Sequence, residues 1–188
     1  MEADFSVELG SDDETLEVPW ADPEGGLRYY DVRHQPELLL DIEESRQFPE
    51  LGKFLAAINS PASKLESAKC DAWFTTELHP EDEIFGATGK FGSYVDLIFF
   101  EHGMRFCFPE YENLARQLTQ LLKRVPEIPA SAEFLIRRCY YHAGQQTAAG
   151  FYFTFYLFGY GDDAEQSRQR WAIALDLVEN AIRQLSAV

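Results

Sequence analysis

The sequence lacks several patterns that identify common functional classes. Its three cysteines, Cys70, Cys107 and Cys139, are widely spaced and form no CxxC pair, so neither a zinc knuckle nor a thioredoxin-like redox motif is indicated. The first residues contain neither the basic cluster nor the apolar run of a signal peptide. We therefore expect a cytoplasmic protein with free thiols, no bound metal and no cofactor.

Positive charge is scarce as well. Sixteen Lys and Arg residues stand against 32 Asp and Glu residues, which gives a formal net charge of −16 at pH 7. Proteins that bind nucleic acids draw most of their affinity from Lys and Arg side chains that neutralise phosphates, and this chain repels phosphates overall. We therefore expect no nucleic-acid partner.

The acidic excess is concentrated at the start of the chain. Residues 1–27 contain nine acidic residues and no Lys or Arg. Such segments repel themselves and bury little apolar area. Residues 1–26 are therefore predicted to form an acidic, flexible N-terminal tail, and residues 27–188 a single α+β domain. A docking arm for a basic partner is the functional alternative for the tail.

Charge of either sign is missing from Cys139 to Gly161, a stretch of 23 residues. Polar and small residues at 142–150 interrupt it and leave an apolar run of about eleven residues, too short for a helix that crosses a bilayer. The aromatic residues that fill this run favour β-strands. We predict no membrane span but two strands, residues 133–141 and 151–160, joined by a loop.

Alternating and helical patterns predict the other elements. The further predicted strands are residues 70–78, 89–100 and a short third one at 104–108. The predicted helices are residues 49–60, residues 109–125, and a last helix from Asp162 or Asp163 to about residue 186. The fold class is thus α+β: an antiparallel sheet of about five strands with amphipathic helices packed on one face, in the order α-β-β-(β)-α-β-β-α.

At the level of topology, this order resembles the type III secretion chaperone and YbjN-like architecture. Members of that group are small, acidic and often dimeric, and they bind partners without catalysis. The resemblance therefore implies a binding protein and not an enzyme. It rests on the order of elements and on no motif, so it implies no site residues.

The strand at 151–160 carries the strongest functional signal. Alternation places phenylalanines on one face and Tyr152, Thr154 and Tyr156 on the other. If helices cover one face, the other must be covered by the N-terminal segment, a second copy of the chain, a partner or an apolar ligand. Tyrosine joins an apolar ring to a polar hydroxyl and is common at interfaces, which favours a protein partner or a homodimer.

One charged residue lies inside a strand that is otherwise mostly apolar. Asp96 stands in the sequence SYVDLIFF. Simple alternation predicts that its carboxylate lies on the solvent side of the sheet; the alternative is a pair with Arg137 or Arg138 on a neighbouring strand.

Two hypotheses for the function follow. The first is a non-enzymatic protein-binding or adaptor protein, chaperone-like or immunity-like, with an acidic surface and an aromatic sheet face. The alternative is a small-molecule-binding protein or enzyme with a pocket between the sheet and the C-terminal helix. No catalytic residue and no metal-ligand set is identified. The candidate binding residues are Tyr152, Tyr156, Trp73, Trp171 and Tyr94.

Overall fold

The computed structural model describes residues 1–22, 26, 28–125 and 127–186. Residues 23–25 and 27, which belong to the predicted tail and its boundary, lie outside the described residues, as do residues 126, 187 and 188 of the predicted domain. The described chain has an α+β fold that ends in a long helix, as predicted.

The described residues form six strands, four α-helices and three short 3₁₀ helices. The strands are β1 (Glu2–Glu8), β2 (Thr15–Val18), β3 (Leu65–Thr75), β4 (Gly89–Phe99), β5 (Ala130–Ala143) and β6 (Gln146–Gly161). The α-helices are α1 (Glu43–Gln47), α2 (Pro49–Ile58), α3 (Phe108–Leu122) and α4 (Ala164–Ser186). The 3₁₀ helices are Pro36–Asp41, Pro80–Phe85 and His102–Phe106.

The predicted strand at 104–108 is wrong. Residues His102–Phe106 form a 3₁₀ helix, and Phe108 already begins α3. Pro109 lies in the first turn of α3, where its fixed φ suits a helix and its missing N–H costs nothing. The apolar residues of this segment therefore lead into a helix, although their spacing fits a strand equally well.

All six strands belong to one mixed sheet. Its order is β1–β5–β6–β4–β3, and β2 pairs with β5 beyond the end of β1. The pairs β5–β6, β6–β4 and β4–β3 are antiparallel, whereas β1 and β2 both run parallel to β5. The prediction of a purely antiparallel sheet of about five strands is therefore wrong, because two N-terminal strands join it in parallel.

The acidic composition of residues 1–26 predicts a flexible tail, yet the structure places β1 and β2 there. A pattern of period two accounts for β1. Ala3 and Phe5 turn towards the apolar core, while carboxylates at the alternate positions point away from it. At the end of the strand, Glu8 Oε2 lies 2.7 Å from Arg137 Nε on β5. Part of the acidic charge is therefore fixed at the sheet by an ion pair.

One face of the sheet, called here the helix-covered face, packs against α2, α3 and α4. Phe153, Phe155 and Leu157 of β6 are fully buried on this side. Buried residues of α4 at helical spacing, from Trp171 to Ile182, pack into the same core. The side chains at the alternate positions of β6 point to the other side, called here the opposite face.

Candidate functional site

Four aromatic side chains lie together at the middle of the opposite face and form what we call the aromatic patch. Its members are Trp73 on β3, Tyr94 on β4, and Tyr156 and Phe158 on β6. Ring centroids lie 6.4 Å apart for Trp73–Tyr94, 5.9 Å for Tyr94–Tyr156 and 6.2 Å for Trp73–Phe158. All four rings are partly exposed. Three of the five predicted binding residues are therefore neighbours at one surface.

Tyr152, a fourth predicted binding residue, lies on the same face but is buried, with 1% of its surface exposed. It packs in a small apolar cluster with Ile98 and with Leu16 and Val18 of β2. The N-terminal segment therefore covers this end of the opposite face. Trp20 continues the cover, since its Nε1–H donates a 2.7 Å hydrogen bond to the Ala68 carbonyl on β3.

The fifth predicted residue, Trp171, lies on the other side of the sheet and does not join the patch. It is a residue of α4 that is fully buried against the sheet, and its Nε1–H donates a 2.8 Å hydrogen bond to Ser93 Oγ. At Gly159 the strand and α4 are so close that an added Cβ would overlap the Trp171 backbone. Trp171 therefore belongs to the packed core on the side of the sheet where the alternative hypothesis places a pocket between sheet and helix.

A buried carboxylate lies two residues along β4 from the patch. Asp96 is 4% exposed and accepts a 2.7 Å hydrogen bond from Thr154 Oγ1 on β6. Burial raises the pKa of Asp96 to about 7, although the Thr154 hydrogen bond and the nearby charges of Lys69 and Arg137 act in the opposite direction. Asp96 therefore lies on the opposite face, as simple alternation predicts, but its carboxylate is buried there and not exposed to solvent.

Arg137 links this buried carboxylate to the N-terminal segment. Its Nη1 lies 3.5 Å from Thr154 Oγ1, while its guanidinium pairs with Glu8 at 2.7 Å and Glu14 at 3.1 Å. Lys69 lies directly across from Asp96 on β3. A row of polar side chains therefore crosses the opposite face and separates the apolar cluster under β2 from the aromatic patch.

The 3₁₀ helix Pro80–Phe85 covers the other end of the opposite face. Phe85 stacks on the Tyr160 ring at 4.0 Å, and Asp82 pairs with Lys90 at 2.6 Å with both side chains buried. The Tyr160 hydroxyl donates a 2.6 Å hydrogen bond to Asp82 Oδ1. The patch is thus the part of this face left between two covered ends.

The border of the patch on the β5 side is acidic. Glu133 lies directly across from Tyr156. Burial raises the pKa of Glu133, and repulsion from Glu8, Asp4 and Glu81 adds to the shift, which Arg137 only partly opposes. Glu133, which lies beside Tyr156, is therefore surrounded by other negative charges, and a positive charge placed next to it would be attracted.

A concave feature that the sequence does not predict lies along the outer edge of β3. We call it the edge cleft; its volume is about 340 Å³. Residues 67–71 of β3, Trp20 and Tyr30 from the N-terminal part, and Glu44 of α1 line it, together with Tyr94 of the patch. The segments that meet here are far apart in the chain, so no local motif signals the cleft. The aromatic patch and the edge cleft are contiguous because they share Tyr94.

Among the described helices, none is long and apolar enough to cross a membrane. Within the same residues, no three His, Cys, Asp or Glu side chains are grouped so that they could hold a metal ion. A scan against protein-family models, a search of curated proteins and a search of solved structures each find no match to this chain.

Proposed function

We propose that this chain is a non-enzymatic protein-binding adaptor whose aromatic patch receives a basic, amphipathic segment of a partner protein. One observation carries the proposal: Trp73, Tyr94, Tyr156 and Phe158 form a partly exposed cluster while both ends of the same sheet face are covered. Exposed apolar clusters with a polar border are characteristic of interaction sites.

The chemistry of the patch suits a protein ligand. Tyrosine and tryptophan dominate the energetics of protein interfaces, because each offers a rigid ring and a polar group at low entropic cost. Aromatic faces also attract Lys and Arg side chains through cation–π interactions. The chain itself uses this contact, since Lys69 Nζ lies 6.0 Å from the Tyr94 ring centroid and Lys90 Nζ lies 4.8 Å from that of Phe158.

Charge favours a basic partner over a second copy of this chain. In a dimer formed through the aromatic patch, each copy would carry a net charge of −16. The Glu133 carboxylate of one copy would also face acidic residues of the other copy. Like charges placed together at an interface cost free energy, whereas a basic segment would relieve the repulsion around Glu133. Electrostatic steering would also speed the encounter at low salt.

The test uses two synthetic peptides with equal numbers of lysines: one of Leu and Lys with helical spacing, and one of alternating Val and Lys. We expect at least one to bind with an affinity that falls as salt rises, measured by isothermal titration calorimetry at two salt concentrations. The Tyr156→Asp variant should bind at least tenfold more weakly.

This variant separates docking at the patch from general attraction between opposite charges. Because Tyr156→Asp adds a negative charge, purely electrostatic binding would strengthen. The matched control is Tyr140→Asp, which adds the same charge at a residue of β5 that is 39% exposed and outside the patch. Unchanged or stronger binding by Tyr156→Asp would overturn the proposal. So would a dimer in light scattering that Tyr156→Asp dissociates, because a second copy would then cover the patch.

A further inference from the structure

The outer edge of β3 has no strand partner in the described chain. β3 pairs only with β4 and ends the strand order of the sheet. A free edge presents N–H and C=O groups that can pair with another chain. In this protein the edge lies beside the edge cleft and the aromatic patch at once.

Two side-chain contacts show which backbone groups of β3 face outward. The Ala68 carbonyl accepts its hydrogen bond from Trp20, and the Ala72 N–H donates a 2.7 Å hydrogen bond to Asp71 Oδ1. Neither group bonds to β4. Because backbone groups alternate between the two edges of a strand, those of Cys70 and Phe74 face outward together with those of Ala72.

Glu44 and Asp71 bring negative charge to this edge. Burial raises the pKa of Glu44, its own backbone N–H lowers it, and repulsion from Asp71 and Glu43 raises it further. In the described chain neither Glu44 nor Asp71 forms an ion pair with Lys or Arg. A cation bound between them would replace repulsion by attraction.

The cleft also has basic side chains, but two of its three are held by aromatic rings. Lys69 Nζ lies 5.6 Å from the Trp20 ring centroid and 6.0 Å from that of Tyr94, and the Arg28 guanidinium lies 5.4 Å from the Tyr30 ring. The third, Arg46, is exposed on α1. The carboxylates of Glu44 and Asp71 therefore remain open to a cation from outside.

We propose that the partner's basic segment binds in extended form along β3 as an added strand, with one Lys or Arg side chain in the edge cleft between Glu44 and Asp71. This inference rests on the proposed function and specifies how the partner binds. Alternate side chains of an added strand point to opposite faces, so the remaining side chains on the patch side reach Trp73 and Tyr94. The negative charge of Asp71 at this edge disfavours pairing with a strand that has no Lys or Arg to neutralise it.

The test uses the peptide of alternating Val and Lys and measures amide hydrogen exchange by NMR. On saturation with peptide, exchange at the outward-facing amides of Cys70 and Phe74 should slow at least tenfold, because the added strand accepts their hydrogen bonds. The amides of Asp71 and Trp73 are the internal control, since they face β4 and should change much less.

A second measurement concerns the cation. Glu44→Gln should weaken binding of the same peptide about fivefold, a loss in the range typical of one exposed ion pair. Burial already disfavours the charged form of Glu44, so replacing it by the neutral Gln should not destabilise the fold. The control is Glu112→Gln, which removes the same charge on α3 in the exposed pair with Arg116.

The outcomes separate this inference from the proposed function. If the peptide binds and depends on Tyr156 while exchange at Cys70 and Phe74 is unchanged, strand addition is overturned and the patch remains the site. Equal effects of Glu44→Gln and Glu112→Gln would overturn the placement of the cation. Failure of both Lys peptides to bind would overturn the inference and the proposed function together.

Discussion

Replacement of Asp96 by Asn tests how the opposite face tolerates a buried charge. The carboxylate is 4% exposed, and its pKa rises from 3.8 to about 7 on folding. The folded state therefore holds a proton that the unfolded state releases, so this residue makes the protein less stable as pH rises from about 4 to about 7. At about 1.4 kcal/mol for each pKa unit, the full effect is on the order of 4 kcal/mol.

Asn has the shape of the protonated carboxyl and can still accept the hydrogen bond from Thr154. Asp96→Asn should therefore be more stable than the wild type, and the difference should grow between pH 5 and pH 7. The difference should grow by about 2 kcal/mol over these two pH units, because the slope falls as pH approaches the folded pKa, and it should reach a plateau near pH 8. Urea unfolding at pH 5, 6, 7 and 8 measures each free energy of unfolding.

The matched control is Asp71→Asn, which removes the same charge from an exposed residue on the same face of the adjacent strand. Its effect should stay within about 0.5 kcal/mol at every pH, as is usual for surface substitutions. If Asp96→Asn shows the same flat profile, or is less stable than the wild type at pH 8, then Lys69 and Arg137 stabilise the charged carboxylate and the reasoning from burial is refuted.

Two further predictions concern the packing that frames the patch. Arg137→Met should lower the free energy of unfolding by about 2 kcal/mol and speed amide exchange in β1, because the hydrogen bonds to the carboxylates of Glu8 and Glu14 are lost. Arg138 is exposed, so Arg138→Met should do neither. Equal exchange rates in both variants would show that Arg137 does not hold β1 against β5. Gly159→Ala should lower the free energy of unfolding by about 1–3 kcal/mol, measured by thermal or urea unfolding, because the added Cβ meets the backbone of α4. The control Gly103→Ala adds a Cβ in open space and should be nearly neutral. A neutral Gly159→Ala would contradict the close approach of β6 and α4.

The antiparallel part of the sheet is predictable from sequence because local patterns specify it. The alternation of β6 separates Phe153 and Phe155 from Tyr152 and Tyr156, and the structure separates them in the same way. The apolar stripe of α4 likewise predicts which residues reach the core. In each case the period of the side chains matches the period of the backbone, so no distant contact is needed.

The N-terminal strands show where local reasoning fails. Leu16 and Val18 are buried because they pair with Cys139 and Tyr141, which lie far along the chain. A parallel edge strand needs such a long-range partner, and nothing within residues 15–18 reveals it. Charge composition alone does not reveal that Arg137, far along the chain, pairs with two of the N-terminal carboxylates, Glu8 and Glu14.

The position of Trp171 is a different case. The residue stands at the start of the α4 stripe with Ala174, Leu175 and Val178, and that spacing already predicts a core position. Its proposed role in binding rests on the hypothesis of a pocket between the sheet and the C-terminal helix, which its helical spacing neither requires nor excludes. The residues of the patch lie instead at alternate strand positions that no helix covers.

The features that cost stability are concentrated on one part of the molecule. A buried carboxylate at Asp96, crowded carboxylates at Glu44 and Glu133, partly exposed aromatic rings and an unpaired strand edge all lie on or beside the opposite face, from β3 to β5. The core of the helix-covered face, by contrast, is filled largely by apolar side chains. Natural proteins tend to depart from the rules of stable packing where they bind or react. A basic segment laid across the patch and the edge of β3 would remove several of these costs at once: it would cover the rings, pair the free amides and neutralise the carboxylates.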